Sequence, residues 1–283
     1  MSLSADSIER VVRIALEEDA PWGDITSETL LPADILVTAV LSPREAGVMS
    51  GEEVFTAAMR LVDQATAVSF SVHDGESFTT EQVLATISGS ARSVLRGERV
   101  ALNFVQRMSG IATLTAQYVA AAAGTKARIV DTRKTTPGLR LLERYAVRCG
   151  GGHNHRFSLS DAVLAKDNHL AILSRDRDLT EALRDARQRL SHTTHFEVEV
   201  DHPNQIEAVL AAGVDTIMLD NFRTEQMRDA VIQIARRANV EASGGVQLDR
   251  IQQIAATGVD IISVGALTHS VRALDLGLDI ETL

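Results

Sequence analysis

The rhythm of the second half constrains this chain more than any other feature. From Ala127 onward, six short β-rich runs alternate with helical patterns. The runs are ARIVDTR, AVLAKDN, FEVEVD, DTIMLD, VEASGG and IISVG. Between the later ones lie NQIEAVLAAG, TEQMRDAVIQIARRAN and LDRIQQIAATG, whose apolar residues recur at helical spacing. Strand–helix units of this length imply parallel strands joined by right-handed crossovers. Six strands fall short of a closed eight-stranded barrel, so the expected domain is an open, incomplete α/β barrel.

The first half reads differently. A helix is expected over residues 4–18, with Ile8, Val11, Val12, Ala15 and Leu16 on one face. Trp22-Gly23-Asp24 marks a turn. The β-like runs LVTAVLS, AVSFSVH and QVLATIS then flank the helical EEVFTAAMRLVD, an α+β pattern. A long helical region over residues 97–123 follows, with an interruption expected at Ser109-Gly110. The resulting division is an N-terminal domain over 1–113 and a barrel-like catalytic domain over 114–269, fused within helix.

Composition narrows the function. The chain carries 28 Lys and Arg against 38 Asp and Glu, a net charge of −10. Such an acidic chain makes a poor general binder of nucleic acid or anionic membrane. Neither a membrane-length apolar run nor an apolar signal core is present, and Cys149 is the single cysteine. A cytoplasmic enzyme is the expectation. Between Lys126 and Lys166, however, nine basic residues face three acidic ones. A basic island in an acidic chain fits a pocket for a small, highly charged anion. The competing reading for Arg140, Arg144 and Arg148, four residues apart, is a solvated helix face.

The strand ends carry the chemistry. In barrel-like domains, polar groups at the C-terminal ends of strands converge on one site. Here the strands run into Arg133-Lys134, Lys166-Asp167-Asn168, Glu199 and Asp201, Asp220-Asn221, Ser243-Gly244-Gly245, and Gly265 with His269 beyond it. Arg133, Lys134, His155, Arg156 and Lys166 can bind anions, and an arginine fork suits a carboxylate. Glu199 and Asp220 are hard oxygen ligands suited to Mg²⁺. Ser243, Gly244, Gly245 and Gly265 let phosphate approach backbone N–H groups. Together they would hold an organic polyacid, a divalent metal and a phosphorylated group.

The stretch DTRKTTPGLRLLERYAVRCGGGHNHRFSLSDAVLAKDNHL, with EEDAPWGDIT, ERVALNFVQRMSGIAT, EVEVD, IMLDNF, EASGG and VGALTHSVRALDLGLDI, resembles the quinolinate phosphoribosyltransferases. These segments span nearly the whole chain in family order. The resemblance implies that quinolinate and 5-phosphoribosyl 1-diphosphate give nicotinate mononucleotide, CO₂ and diphosphate, with Mg²⁺, on the route to NAD. It implies an α/β sandwich before the open barrel, with a C-terminal tail, 270–283, returning to the sandwich. It also implies a homodimer. By the same resemblance Arg133, His155, Arg156 and Lys166 surround the quinolinate carboxylates. Arg99 reaches a neighbouring subunit's site. Lys134, Glu199 and Asp220 attend ribose, diphosphate and metal, with Lys134 and Lys166 as candidate proton donors to C2. Ser243, Gly244, Gly245, Gly265 and His269 match phosphate-binding positions.

Other readings compete. His153-x-His155 could begin a transition-metal site, but no regular ligand spacing completes it. Lys166 could form a Schiff base. Cys149 reads as a packed residue rather than a nucleophile, and Trp22 and Phe104 as core or interface. A related phosphoribosyltransferase-like protein associated with molybdenum transport, or a non-catalytic homologue, would share much of the pattern. The intact NHR element and basic set favour quinolinate. Phe157-Ser158 and Ala242 depart from the family pattern and could reshape the pocket rim.

Overall fold

A computed structural model describes residues 3–280, so Met1, Ser2 and the last three residues of the 270–283 tail lie outside the described chain. In chain order the elements are α1 (Ala5–Asp19), α2 (Ile25–Leu30), β1 (Leu36–Pro43), β2 (Gly47–Val48), α3 (Glu52–Val62), β3 (Ala67–Phe70), β4 (Ser77–Phe78), β5 (Ala85–Ser90) and α4 (Ala91–Ala121). Next come β6 (Arg128–Val130), α5 (Arg140–Cys149), β7 (Val163–Ala165), α6 (Asp167–Leu173), α7 (Leu179–Gln188), β8 (Phe196–Val200) and α8 (Ile206–Ala211). The chain ends with β9 (Thr216–Asp220), α9 (Thr224–Ile234), β10 (Asn239–Ser243), α10 (Ile251–Ala255), β11 (Ile261–Ser263), α11 (Ala266–His269) and β12 (Leu276–Ile280).

Two compact units emerge. Among the described residues the first comprises 3–116, 135–151 and 266–280; the second comprises 117–134 and 152–265. The sequence division at 113/114 differs from this in one substantial respect: α5 groups with the first unit. The cause is a set of buried polar ties. Arg107 Nη2 donates to Glu143 Oε1 at 2.9 Å, and Tyr145 donates to Asp74 Oδ2 at 2.8 Å. Glu143 is 1% exposed, so the pair with Arg107 compensates a charge that burial would otherwise expel.

Within the first unit, four antiparallel strands lie in the order β12-β1-β5-β3. Val40 pairs with Asp279 on one side and with Thr86 on the other. The tail strand therefore covers one edge of β1. Helix α1 starts where the Ser4 hydroxyl accepts the Ser7 N–H, and it buries Ile8 and Val12. Helix α4 runs unbroken through Ser109-Gly110, contrary to the expected interruption. Gly110 serves close packing: a Cβ there would meet the Arg272 carbonyl oxygen at 2.2 Å. Phe104 is buried, whereas Trp22 is 91% exposed and so is not a core residue.

The second unit contains all six expected strands, as one parallel sheet in the order β6-β11-β10-β9-β8-β7. β11 returns to pair with β6, and residues on or just beyond all six strands surround one cavity, so the sheet is curled. Among the described residues no pairing joins β6 to β7, so the barrel is open there. One face of the sheet is apolar and buried, with Phe196, Val198, Val200, Ile217, Leu219 and Val240, while the other carries Glu197, Glu199, Asp220 and Glu241.

Candidate active site

Strand period decides which side chains meet. Successive residues of a strand point to opposite faces. Leu164 and Lys166, Met218 and Asp220, and Glu241 and Ser243 therefore share one face, and all line a single cavity of about 640 Å³ together with Glu199 and Ser263. That volume suits a small organic ligand. Four of the nine basic residues between Lys126 and Lys166 line it: Arg133, Lys134, Arg156 and Lys166.

The cations are close enough to strain one another. Burial, and after it the charge of Arg133, pull the Arg156 guanidinium below its ordinary pKa. Arg156 Nη1 donates to the Ala162 carbonyl at 2.8 Å, which anchors one end of its fork. Lys166, at the end of β7, places Nζ 2.9 Å from Glu199 Oε2. A paired ammonium is suited to holding anions or delivering a proton, and less suited to the Schiff-base role considered above.

Glu199 ends in the cavity from β8, and Asp220 from β9. Two hard carboxylates on adjacent strands form the donor set Mg²⁺ prefers, with room left for water and ligand oxygens. Asn221 Nδ2 donates to Asp220 Oδ2 at 2.8 Å and orients that carboxylate. At the end of β10, Gly244 and Gly245 adopt φ of +88° and +56°. A Cβ on Gly244 would lie 2.8 Å from the Asn221 backbone nitrogen, so only glycine permits this approach. The small loop leaves space for a phosphate to reach backbone donors.

Sequence reasoning missed three residues. Asp131 is fully buried; its Oδ1 accepts the His155 N–H at 2.7 Å and its Oδ2 accepts from Asn154 Nδ2 at 2.6 Å. Glu197 and Glu241 lie deeper in the barrel, with Glu197 Oε2 3.1 Å and Glu241 Oε1 3.5 Å from His155 Nε2. A signal existed: a carboxylate inside an apolar parallel strand is rarely fully buried without a partner. Burial works to lower the His155 pKa, and the hydrogen bonds and charges of Glu197 and Glu241 work against it. Burial, against the pull of His155 and with the charge of Glu241, raises Glu197 to about 7. The cluster thus retains a proton. Because His155 Nδ1 accepts the Arg156 N–H at 2.7 Å, that proton sits on carboxyl oxygen rather than on Nδ1.

The same cluster bears on the transition-metal reading. His155, Glu197 and Glu241 present their ligand atoms within 4.8 Å of one another. An imidazole whose Nδ1 accepts a backbone N–H carries its proton on Nε2, which removes the lone pair a metal would need. His153 instead joins the backbone ladder beside Val130.

The remaining expected positions are not among the residues lining the cavity. Arg99 and His269 belong to the first unit. Gly265 ends the second unit and does not line the cavity. Arg140, Arg144 and Arg148 also belong to the first unit, where Arg144 is buried rather than solvated. Ala242 is wholly buried on the strand face opposite Glu241 and Ser243, and neither it nor Phe157 lines the cavity. Burial pushes the Cys149 thiol up to about 11, which fits a packed residue.

Comparison with known proteins accords with this geometry. Residues 24–109 match the quinolinate phosphoribosyl transferase N-terminal domain, and residues 111–279 match its C-terminal domain. The chain is 45% identical to a carboxylating nicotinate-nucleotide pyrophosphorylase of Mycobacterium leprae, over 97% of this chain and 98% of that one. It is 39% identical to a probable enzyme of the same name from Bacillus subtilis, over 93% and 90%. The solved nicotinate-nucleotide pyrophosphorylase of Francisella tularensis superposes with a TM-score of 0.92 at 37% identity, covering 99% of this chain and 98% of that one.

Proposed function

The chain belongs to the quinolinate phosphoribosyltransferase family, and from that premise we propose that it converts quinolinate and 5-phosphoribosyl 1-diphosphate into nicotinate mononucleotide, CO₂ and diphosphate, for NAD synthesis. One observation carries the reading: Arg133 and Arg156 crowd each other in a cavity that also holds Lys134 and Lys166. Such a cation set suits an anionic ligand, and a rigid dicarboxylate answers two guanidinium forks.

The residues divide the work. Arg133 and Arg156, with Lys166, bind the two carboxylates and aim the pyridine nitrogen at the anomeric carbon. Gly244, Gly245 and Ser243 receive the ribose phosphate. Glu199 and Asp220 would hold Mg²⁺, which offsets diphosphate charge when bound. As diphosphate leaves, the ribose gains oxocarbenium character that the two carboxylates stabilise, while Lys134 meets the leaving group. The ring nitrogen bonds to the anomeric carbon and becomes cationic. The C2 carboxylate then departs as CO₂, since the electron pair left on C2 lies beside that positive charge. Lys134 or Lys166 returns a proton to C2. Holding both reactants in line supplies up to roughly 7–11 kcal/mol of the barrier.

The test is direct. Purified protein, Mg²⁺ and phosphoribosyl diphosphate are mixed with quinolinate or nicotinate, and nucleotide and CO₂ are followed. Nicotinate lacks one carboxylate and forfeits a charge-assisted contact to a half-buried arginine fork, worth about 1.5–3 kcal/mol. The expected preference for quinolinate in kcat/KM is therefore on the order of 10–10²-fold. Equal efficiency with both acids would sink the assignment.

The active unit in this reading is a cytoplasmic homodimer in which Arg99 serves the partner's site. Mixing Arg99→Ala and Lys134→Ala subunits restores part of the activity if the site is shared. Mixed dimers that form but stay inactive would remove Arg99 from that role.

A further inference from the structure

Residues 152–162 bridge the opening of the barrel between β6 and β7, and they do so on buried carboxylates. His153 forms a parallel bridge with Val130. Asp131 holds the Asn154 side chain and the His155 N–H. Glu197, from β8, and Glu241, from β10, close on His155 Nε2, with side chains only 5% and 2% exposed. Three strands of the barrel thus converge on a two-residue step of the bridging segment. Arg156 follows immediately, and its Nη1 closes back on the Ala162 carbonyl of the same segment.

We propose that His155 is a positioning residue for Arg156, held in that role by Glu197 and Glu241, and that its ring gives no hydrogen bond to the substrate. Although His155 lines the cavity, both of its nitrogens are occupied. Nδ1 accepts the Arg156 backbone N–H at 2.7 Å, and Nε2 faces Glu197 at 3.1 Å. A nitrogen that accepts an N–H has no proton to offer. The only ring proton therefore points into the carboxylate pair, away from any acid in the cavity. Rotating the ring to serve a substrate carboxylate would break both contacts and take the Nε2–H away from Glu197 and Glu241. What the ring does set is the position of the Arg156 backbone, and with it where the guanidinium stands. This inference rests on reading the cavity as the quinolinate site.

Ring ¹⁵N NMR and quinolinate calorimetry on the full-length protein test it. The wild-type ring is expected in the neutral tautomer protonated at Nε2, with the same signature free and saturated with quinolinate. The variant His155→Gln keeps a donor at the Nε2 position but loses the acceptor for Arg156 N–H. It is expected to weaken quinolinate binding at least tenfold, as is Arg156→Lys. The double variant is expected to bind no more than twofold more weakly than Arg156→Lys alone, because His155 acts through that guanidinium. Additive losses, or a ring nitrogen that changes protonation or partner when quinolinate binds, would overturn the proposal. If His155→Gln does not fold, the paired wild-type spectra decide it. A wild type that binds no quinolinate overturns the activity reading and this inference together, whereas additive losses in a quinolinate-binding enzyme overturn this one alone.

Discussion

Arg156 concentrates the energetics of the site at the scale of one residue. Its guanidinium is depressed by burial and by Arg133, so a dianionic ligand relieves a repulsion already present in the free protein. Arg156→Ala should abolish quinolinate turnover while leaving thermal unfolding within about 1 kcal/mol of wild type, because removing one of two like charges offsets the lost packing. Near-normal saturation kinetics in that variant would take Arg156 out of the site. Cys149 gives a second expectation. With its thiol raised to about 11, it should resist iodoacetamide at pH 8 in the folded protein and react once the chain is denatured. Rapid alkylation of the native protein would contradict that burial. Residues at strand ends were legible because polar groups there have few other reasons to vary so widely in type. Asp131, Glu197 and Glu241 were not, since their partners come from segments far away in sequence.

At the scale of elements, apolar rhythm located every strand of the barrel, but it misjudged α4. Glycine within a helix normally costs about 1 kcal/mol, which made a break at Ser109-Gly110 the natural expectation. The helix continues because Gly110 gains contact with the chain at Arg272, an approach no side chain would tolerate. Gly110→Ala should therefore destabilise the protein by roughly 1–3 kcal/mol, despite alanine's better helix propensity, as measured by denaturant midpoint. A stabilised variant would show that the contact yields easily. The loop after β10 makes the opposite case. There the double glycine was read as a phosphate cradle, and its left-handed backbone beside Asn221 is compatible with that role.

At the scale of the whole molecule, the first unit is assembled from separated stretches of chain, and its stability follows ionic contacts between them. Arg272 forks onto Glu45, whose oxygen also accepts the Asp275 N–H at 2.9 Å. The hydrogen bonds from Arg272, then that from Asp275, lower the Glu45 pKa from 4.5 to about 2. A carboxylate depressed in the folded state stabilises it fully above its unfolded pKa and loses that contribution as pH falls through the folded value. Glu45→Gln should accordingly flatten the loss of thermal stability between about pH 4.5 and pH 2, and salt should diminish the difference, since the pair is largely exposed. An unchanged acid limb would discount the contact. Deleting β12 should cost more, because it exposes the edge of β1 along five paired positions and invites association. What the sequence alone determined was local: periodicity set the parallel strands and placed cations and carboxylates at their ends, and the motif segments carried the family resemblance. Only the tertiary structure decided which buried carboxylates hold His155, that α5 joins the first unit, and which basic residues face one cavity. Those outcomes depend on burial and on partners distant in sequence, and neither leaves a periodic mark on the chain.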